Sequence, residues 1–287
     1  MENVYRILVA IDMSKMAEEA LKRAIIIAKE KNAQLLVIHV IEPFFIEFPF
    51  IPSVDEKDLK REVKEQVDRL TVKAGIEHTL FVESGSAASS IILASQKTKA
   101  DLVIIGTHDK NDLKSNYFGS TALEVIQKTH IPVLIVKNEV NNMYKKMLLA
   151  TNLSDYSKKS ILFANALFNT TSRKYLYAFE TVDQREALRY NISLKQQEKF
   201  KAELLSKATI SLKEFIKNMN NAEIALIPSI ASINEDLLTY IDKEEADLLV
   251  LGSKGVDNLN SFVFGSTASF LVQRASLDVL VYVPKIT

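Results

Sequence analysis

The stretch ADLVIIG at residues 100–106 returns 146 residues later as ADLLVLG at 246–252, and FGSTA at 118–122 returns at the same offset, at 264–268. Nearer the start of each copy, ILVAIDMS at 7–14 matches MLLATNLS at 147–154. Self-similarity over so long a period indicates a duplicated structural unit. We therefore predict two domains, at 1–138 and 143–287, joined through the polar, Asn-rich segment 137–144.

Each copy alternates short apolar runs with longer stretches of helical periodicity, a pattern that predicts the α/β class with a parallel sheet. Strands are predicted at 5–11, 34–41, 78–82, 101–105 and 131–136, and again at 147–150, 174–179, 225–228, 247–251 and 278–283. Right-handed crossovers then favour a Rossmann-like, open five-stranded sheet of order 3-2-1-4-5, flanked by helices. Ligands of such sheets bind at the carboxyl ends of the strands where the order reverses, between strands 1 and 4.

The first helix is predicted to begin after Ser14, because serine is a favoured N-cap residue. The apolar stripe that would face the sheet consists of Ala17, Leu21, Ala24, Ile25 and Ala28. In the second copy Ser154 stands at the matching position. The two copies are therefore expected to begin with the same strand, loop and helix.

The composition excludes several classes of protein. Lys plus Arg and Asp plus Glu are equal at 36 each, which argues against a nucleic-acid partner. The chain has no cysteine, and its four histidines lack metal-ligand spacing, so we predict no metal site. The start shows no signal-peptide pattern and no apolar run approaches a membrane span, which predicts a cytoplasmic protein.

The second copy carries a glycine-rich frame, GSKG at 252–255, followed by nine residues and then GST at 265–267. Glycines permit close backbone approach to a phosphate and the left-handed turns of a phosphate cradle, and a helix N-terminus adds a favourable dipole. The candidate phosphate contacts are Gly252, Ser253, Lys254, Gly255, Gly265, Ser266 and Thr267. The alternative is that these glycines serve only turns and helix packing.

The first copy departs from this frame. It reads GTHD at 106–109, nine residues, and then GST at 119–121, so that Asp109 replaces the second glycine. A carboxylate there would repel a phosphate, although a nucleoside or a monophosphate could still fit. After the first strand it is the second copy that departs, because it has Asn152 where the first copy has Asp12. Asp12 could equally cap the first helix.

The pattern G-x2-G-x9-G-[ST], present in two copies with an Asp after the first strand, resembles the universal stress protein family of the tandem type. The resemblance implies an adenine nucleotide α-hydrolase-like fold and ATP or a related adenine nucleotide, with Mg²⁺ shared by its phosphates. It places the glycines near the phosphates and Asp12 with the chain 39–41 near the adenosine. The first-copy candidates are Asp12, Val40, Gly106, Gly119, Ser120 and Thr121, and Asn152 joins those of the second copy.

The resemblance implies a stress-linked, ATP-binding regulator rather than an enzyme, with the intact phosphate loop in the second domain. The alternative is a protein-interaction module with decayed sites and an unknown protein partner. A slow ATPase or phosphotransferase has little support, because the sequence lacks G-x4-G-K-[ST], an evident nucleophile and base, and an acidic cluster.

Two apolar segments predict contacts. The fifth strands, 133–136 and 279–283, would be bare sheet edges, and relatives pair such strands antiparallel. We expect the tandem fusion to form an intramolecular pseudo-dimer this way, with a homodimer left open. The segment FFIEFPFI at 44–51 is expected to fold over its own or the partner domain, with a lid or an oligomer contact as alternatives.

Overall fold

A computed structural model of the chain describes residues 5–42, 56–107, 119–181, 192–219, 223–253 and 264–283. The chain forms two compact units that divide between Met143 and Tyr144, within the segment 137–144. The apolar segment 44–51, Asp109, Lys254 and Gly255 lie outside the described residues.

The first unit consists of β1 (Arg6–Ile11), α1 (Lys15–Lys31), β2 (Gln34–Ile41), α2 (Glu56–Ala74), β3 (His78–Ser84), α3 (Ala87–Lys97), β4 (Leu102–Gly106), α4 (Ser120–Lys128) and β5 (Val133–Val136). The second consists of β6 (Lys146–Thr151), α5 (Asp155–Leu167), β7 (Ser172–Glu180), α6 (Leu194–Ile216), β8 (Glu223–Ser229), α7 (Ile233–Ile241), β9 (Leu248–Gly252), α8 (Ser266–Arg274) and β10 (Asp278–Tyr282). The prediction of an α/β chain with two such copies is confirmed.

Within the first unit the strands run in the order β3-β2-β1-β4-β5, and all neighbouring pairs are parallel. Within the second unit the order is β8-β7-β6-β9-β10, again parallel throughout. Each order is the predicted 3-2-1-4-5. The reversal point lies between β1 and β4 in one unit and between β6 and β9 in the other, so both copies place a crevice at the same carboxyl edge.

The recurring Asp of the ADL motif has a structural role. The Asp101 carboxylate accepts a hydrogen bond from the Arg6 backbone N–H at 3.0 Å. The Asp247 carboxylate accepts from the backbone N–H groups of Lys145 and Lys146, at 2.6 and 2.9 Å. In both copies this aspartate therefore fixes the start of the first strand next to the start of the fourth. This shared role explains why the aspartate is present before the fourth strand of each copy.

Helix α1 binds residues 140–142, the chain at the end of the first unit. The buried Glu19 carboxylate accepts a hydrogen bond from the Val140 backbone N–H at 2.6 Å. The guanidinium of Arg23, also buried, donates to the Asn142 backbone carbonyl at 2.8 Å. Residues 140–142 are therefore bound to α1.

An ion-pair network joins β6, β7 and the end of α7 at the opposite edge of the second sheet. The Glu244 carboxylate lies 2.6 Å from Lys146 Nζ and 2.8 Å from Lys174 Nζ, and it accepts a hydrogen bond from the Tyr240 hydroxyl at 2.7 Å. The hydrogen bonds from Lys146, Lys174 and Tyr240 lower the pKa of Glu244 to about 2. This carboxylate therefore favours the folded state when it is ionised.

We expect Glu244→Gln to reduce the free energy of unfolding by about 1 to 2 kcal/mol near neutral pH, since water screens part of the interaction. The pKa of Glu244 is lower in the folded than in the unfolded chain, so its contribution is present above about pH 4.5 and is lost as the pH falls towards 2. Urea unfolding of wild type and variant at pH 7 and pH 3 tests this. A difference that stays constant or grows at pH 3 would contradict it.

The described residues contain no helix that is long and apolar enough to cross a membrane. They also contain no group of three or more His, Cys, Asp or Glu side chains that could hold a metal ion. His39 Nδ1 lies 3.0 Å from the Ile11 carbonyl oxygen, and His78 Nε2 lies 3.5 Å from an Asp68 carboxylate oxygen. These two histidines therefore have local structural contacts.

Candidate functional site

In each unit the described residues form a cavity at the carboxyl edge of the sheet, where the strand order reverses. The first-unit cavity has a volume of about 290 Å³ and the second-unit cavity about 260 Å³. The first is lined by Ala10, Ile11, Asp12, Ala17, Ile38, Val40, Glu42, Ala87, Ile91, Ile105, Gly106, Gly119, Ser120, Thr121 and Ala122. The second is lined by Ala150, Thr151, Asn152, Ser157, Ala178, Ile233, Leu237, Leu251, Gly252, Gly265, Ser266, Thr267 and Ala268.

The side chains after the first strand of each copy have the same local geometry. Asp12 Oδ1 accepts a hydrogen bond from the Ser14 backbone N–H at 3.1 Å, and Asn152 Oδ1 accepts from the Ser154 backbone N–H at 3.2 Å. The helix caps are the serines, because each hydroxyl accepts from a backbone N–H three residues further on. Asp12 therefore closes the turn before the helix and does not cap it.

The left-handed conformation at each site belongs to a bulky residue. Met13 has φ 66° and Leu153 has φ 63°, between the Asx residue and the cap serine. In contrast, Gly119 and Gly265 have φ −49° and −59°. The expectation that glycines would supply left-handed turns is therefore wrong for these two. A bulky residue with positive φ costs on the order of 1 kcal/mol, and both copies retain this strain at the cavity.

The helices that follow the glycine frames begin without side-chain caps. Gly119 is the N-cap of α4 and Gly265 is the N-cap of α8, and neither can accept a hydrogen bond through a side chain. The first residues of both helices line the cavities. Backbone N–H groups at a helix N-terminus attract anions when they lack an internal partner.

Gly106 and Gly252 end the fourth strand of each copy, but their surroundings differ. A Cβ at Gly106 would lie 2.5 Å from the Met16 carbonyl oxygen, in the first turn of α1. A Cβ at Gly252 would meet only ordinary contacts, at 3.6 Å from Tyr156 and Ser157 backbone atoms. Helix packing therefore requires glycine in the first unit and not in the second.

Ser253 does not line the second cavity. Its side chain is 2% exposed, its backbone N–H donates to the Tyr282 carbonyl oxygen at 3.0 Å, and its carbonyl oxygen accepts from the Gly265 N–H at 2.9 Å. Among the described residues the buried Ser253 hydroxyl has no hydrogen-bond partner. Ser253 therefore fixes Gly265, the N-cap of α8, next to the end of β9.

The two cavities differ in charge. Two carboxylates, Asp12 and Glu42, line the first cavity, and Glu42 Oε1 accepts a hydrogen bond from the Ala87 backbone N–H at 3.0 Å. The described lining of the second cavity includes no carboxylate. It includes instead the hydroxyls of Thr151 and Ser157, whose oxygens are 2.8 Å apart. The second cavity is therefore the better electrostatic match for an anion.

One wall of each cavity was not predicted from the sequence. Ala87 and Ile91 of α3 line the first cavity, and Ile233 and Leu237 of α7 occupy the matching places in the second. Such residues are the usual core face of an amphipathic helix, so their type gives no functional signal. Their spacing of 146 residues, the offset of ADL and FGSTA, is the one sequence feature that could have indicated them.

The fold and cavities define a class of protein: tandem doubly wound α/β units, each with a ligand-sized crevice facing an uncapped helix N-terminus. The comparison with known families agrees. The sequence model of the universal stress protein family matches residues 4–137 and 143–283, so the chain belongs to this family. The predicted resemblance is confirmed.

Relatives match one copy or both. A universal stress protein of Methanocaldococcus jannaschii is 36% identical over 144 residues, which cover 47% of this chain and 84% of that protein. A universal stress protein of Mycolicibacterium smegmatis is 23% identical over 294 residues, covering 98% of each. The solved structure of a universal stress protein from Archaeoglobus fulgidus has a TM-score of 0.68 at 17% identity, covering 98% of each chain. The two-copy architecture is thus shared along the full length.

Proposed function

We propose that this protein is a stress-linked regulator that binds ATP or a related adenine nucleotide in the cavity of its second unit. The observation that carries the proposal is the uncapped N-terminus of α8, which opens on a cavity whose described lining has no carboxylate. The first N–H groups of α8 and the hydroxyls of Ser266 and Thr267 are suited to phosphate oxygens.

The remaining residues fit the same ligand. Asn152 lines the cavity at the end of β6, where an amide can accept and donate hydrogen bonds to a nucleoside. Leu237 and Ile233 provide an apolar wall of the kind that covers the face of a purine. Lys254 and Gly255, from the same sequence frame, are proposed to complete the phosphate contacts. A Mg²⁺ ion would be carried by the phosphates.

Proteins of this family act in general as regulators and not as enzymes, and we propose no catalytic residue. Binding would instead shift the conformation or the choice of partner. The alternative function, a protein-interaction module, is favoured by one observation: α6 exposes four large apolar side chains, Leu194, Phe200, Leu205 and Ile210.

Calorimetric titration of Mg²⁺-ATP into the full chain tests the proposal. We expect saturable binding, with at least one nucleotide per chain attributable to the second unit. Nucleotide released from the purified protein on denaturation would support the same conclusion. No heat of binding to a chain that melts cooperatively would contradict the proposal and favour the interaction module.

We also propose that the outer edges of β5 and β10 are paired, as an intramolecular pseudo-dimer or in a homodimer. The support is chemical: β5 pairs with β4 and β10 with β9 within their own sheets, and both strands are almost entirely apolar. A bare edge of that composition would promote aggregation.

Amide hydrogen exchange of residues 133–136 and 278–282 tests this pairing. We expect slow exchange of every amide in both strands, because outward-pointing N–H groups would also be hydrogen-bonded. Alternating slow and fast amides along either strand would show a bare edge and would contradict the pairing.

A further inference from the structure

We propose that the first cavity binds an uncharged nucleoside, while the second binds the phosphorylated nucleotide, so that the two copies respond to different ligands. The inference rests on the proposed function for the adenine-type ligand. It goes further in assigning a separate ligand class to the first unit, on the basis of side chains that the second unit lacks.

The first argument is the number of hydrogen-bond acceptors that the first cavity offers. Asp12 Oδ1 accepts from the Ser14 N–H, which fixes the carboxylate, and Oδ2 accepts no hydrogen bond from the described residues. Asp12 therefore offers a charged acceptor to a ligand group that donates, such as a hydroxyl or an amino group. In the matching Asn152 the side-chain oxygen accepts from the Ser154 N–H, so the amide NH2 group remains to donate to a ligand. The two cavities have opposite hydrogen-bond polarity at this point.

The second argument is that a side chain already occupies one anion position. The cap residue of α3, Ser86, makes no side-chain cap hydrogen bond, and the Glu42 carboxylate accepts from the N–H of Ala87, the first residue of that helix. Glu42 and Asp12 give the first cavity two carboxylates, whereas the described lining of the second cavity has none, so the first cavity disfavours an anionic ligand. Repulsion between like charges is stronger in a partly desolvated cavity than in water.

The third argument is that a positive charge is disfavoured at one end of the first cavity. The N-terminus of α4 lines the same cavity without a side-chain cap, and its N–H groups and dipole disfavour a positive charge. A ligand that suits both Asp12 and the start of α4 donates hydrogen bonds to Asp12, accepts hydrogen bonds from the N–H groups of α4, and carries no net charge. The hydroxyl groups of a nucleoside do both.

The fourth argument is the apolar surface available to a base. Ile38, Val40 and Ile91 line the first cavity, and Ile38 and Ile91 are at most 3% exposed. Flat aromatic bases are bound by such walls, with a few convergent polar groups to orient them. The first cavity therefore keeps the features that hold a nucleoside and opposes those that hold a polyphosphate.

The experiment isolates each cavity in the full chain with a matched pair of variants. Val40→Trp fills the first cavity and Ala178→Trp fills the second, since each residue lines its cavity from the second strand of its copy. Adenosine and ATP are titrated calorimetrically into the wild type and both variants, after thermal melting confirms that each is folded. Val40→Phe and Ala178→Leu are the smaller replacements if a tryptophan variant does not fold.

We expect Ala178→Trp to bind adenosine at least tenfold more tightly than ATP, and Val40→Trp to bind ATP but to lose this adenosine binding. Adding Asp12→Asn and Glu42→Gln to Ala178→Trp should weaken adenosine binding at least tenfold and strengthen ATP binding. The inference is overturned if Ala178→Trp binds no adenosine or prefers ATP. Absence of ATP binding to both wild type and Val40→Trp would instead overturn the proposed function of the second unit.

Discussion

Gly106→Ala is expected to lower the free energy of unfolding of the first unit by about 3 kcal/mol, while Gly252→Ala changes that of the second unit by no more than about 0.5 kcal/mol. The new methyl group at Gly106 would lie 2.5 Å from the Met16 carbonyl oxygen and 3.0 Å from the Ala17 backbone nitrogen. These are backbone atoms at the start of a helix, so relief requires α1 to move away from the sheet.

The pair of substitutions is its own control, because both replace the last residue of the fourth strand. Neither glycine has a positive φ, so relief of backbone strain does not enter. Urea unfolding followed by circular dichroism, with a thermal melt in parallel, measures both effects. If the two alanines destabilise equally, the packing explanation of Gly106 is wrong.

Thr267→Asp is expected to weaken ATP binding at least about 100-fold, equivalent to about 2.7 kcal/mol. Thr267 is the second residue of α8 and lines the second cavity, so a carboxylate there would stand where the phosphates are proposed to bind. An acidic residue in the first turn of a helix stabilises that helix by about 0.3 to 1 kcal/mol. The variant should therefore lose its ligand without losing its fold.

Thr121→Asp makes the same change at the equivalent place in α4 and provides the matched control. The proposed function expects ATP binding by Thr121→Asp to stay within about twofold of wild type. Calorimetric titration of both variants separates the possibilities. Loss of ATP binding in Thr121→Asp with retention in Thr267→Asp would move the nucleotide to the first unit.

Much of the fold could be predicted from the sequence because its signals are local and appear twice. The strands of parallel sheets are near-continuous apolar runs, and Ser14 and Ser154 lie directly before amphipathic stretches, so the strands and the helix starts could be predicted. The strand order then follows from right-handed crossovers. The same alternation of apolar runs and helical stretches occurs in both copies, which indicates the same fold for each.

The site was only partly predictable, because its geometry depends on contacts distant in sequence. The contact between Glu42 and the start of α3 joins residues 45 apart in sequence, and the types of these residues do not predict it. The sequence also does not indicate the left-handed conformation of Met13 and Leu153, since long side chains seldom adopt positive φ. Gly106 was interpreted through the ligand, whereas its close contact with α1 gives it a packing role that spacing alone could not reveal.

The contacts of α1 determine where the chain can be cut. A first unit ending at residue 138 would remove the Val140 N–H and the Asn142 carbonyl, leaving the buried Glu19 and Arg23 without these partners. A buried polar group that loses its hydrogen-bond partner typically costs about 1 to 3 kcal/mol of stability, and more when it is charged. A fragment that ends after Asn142 keeps both contacts, so residues 140–142 of the connecting segment are needed for the folding of the unit that precedes them.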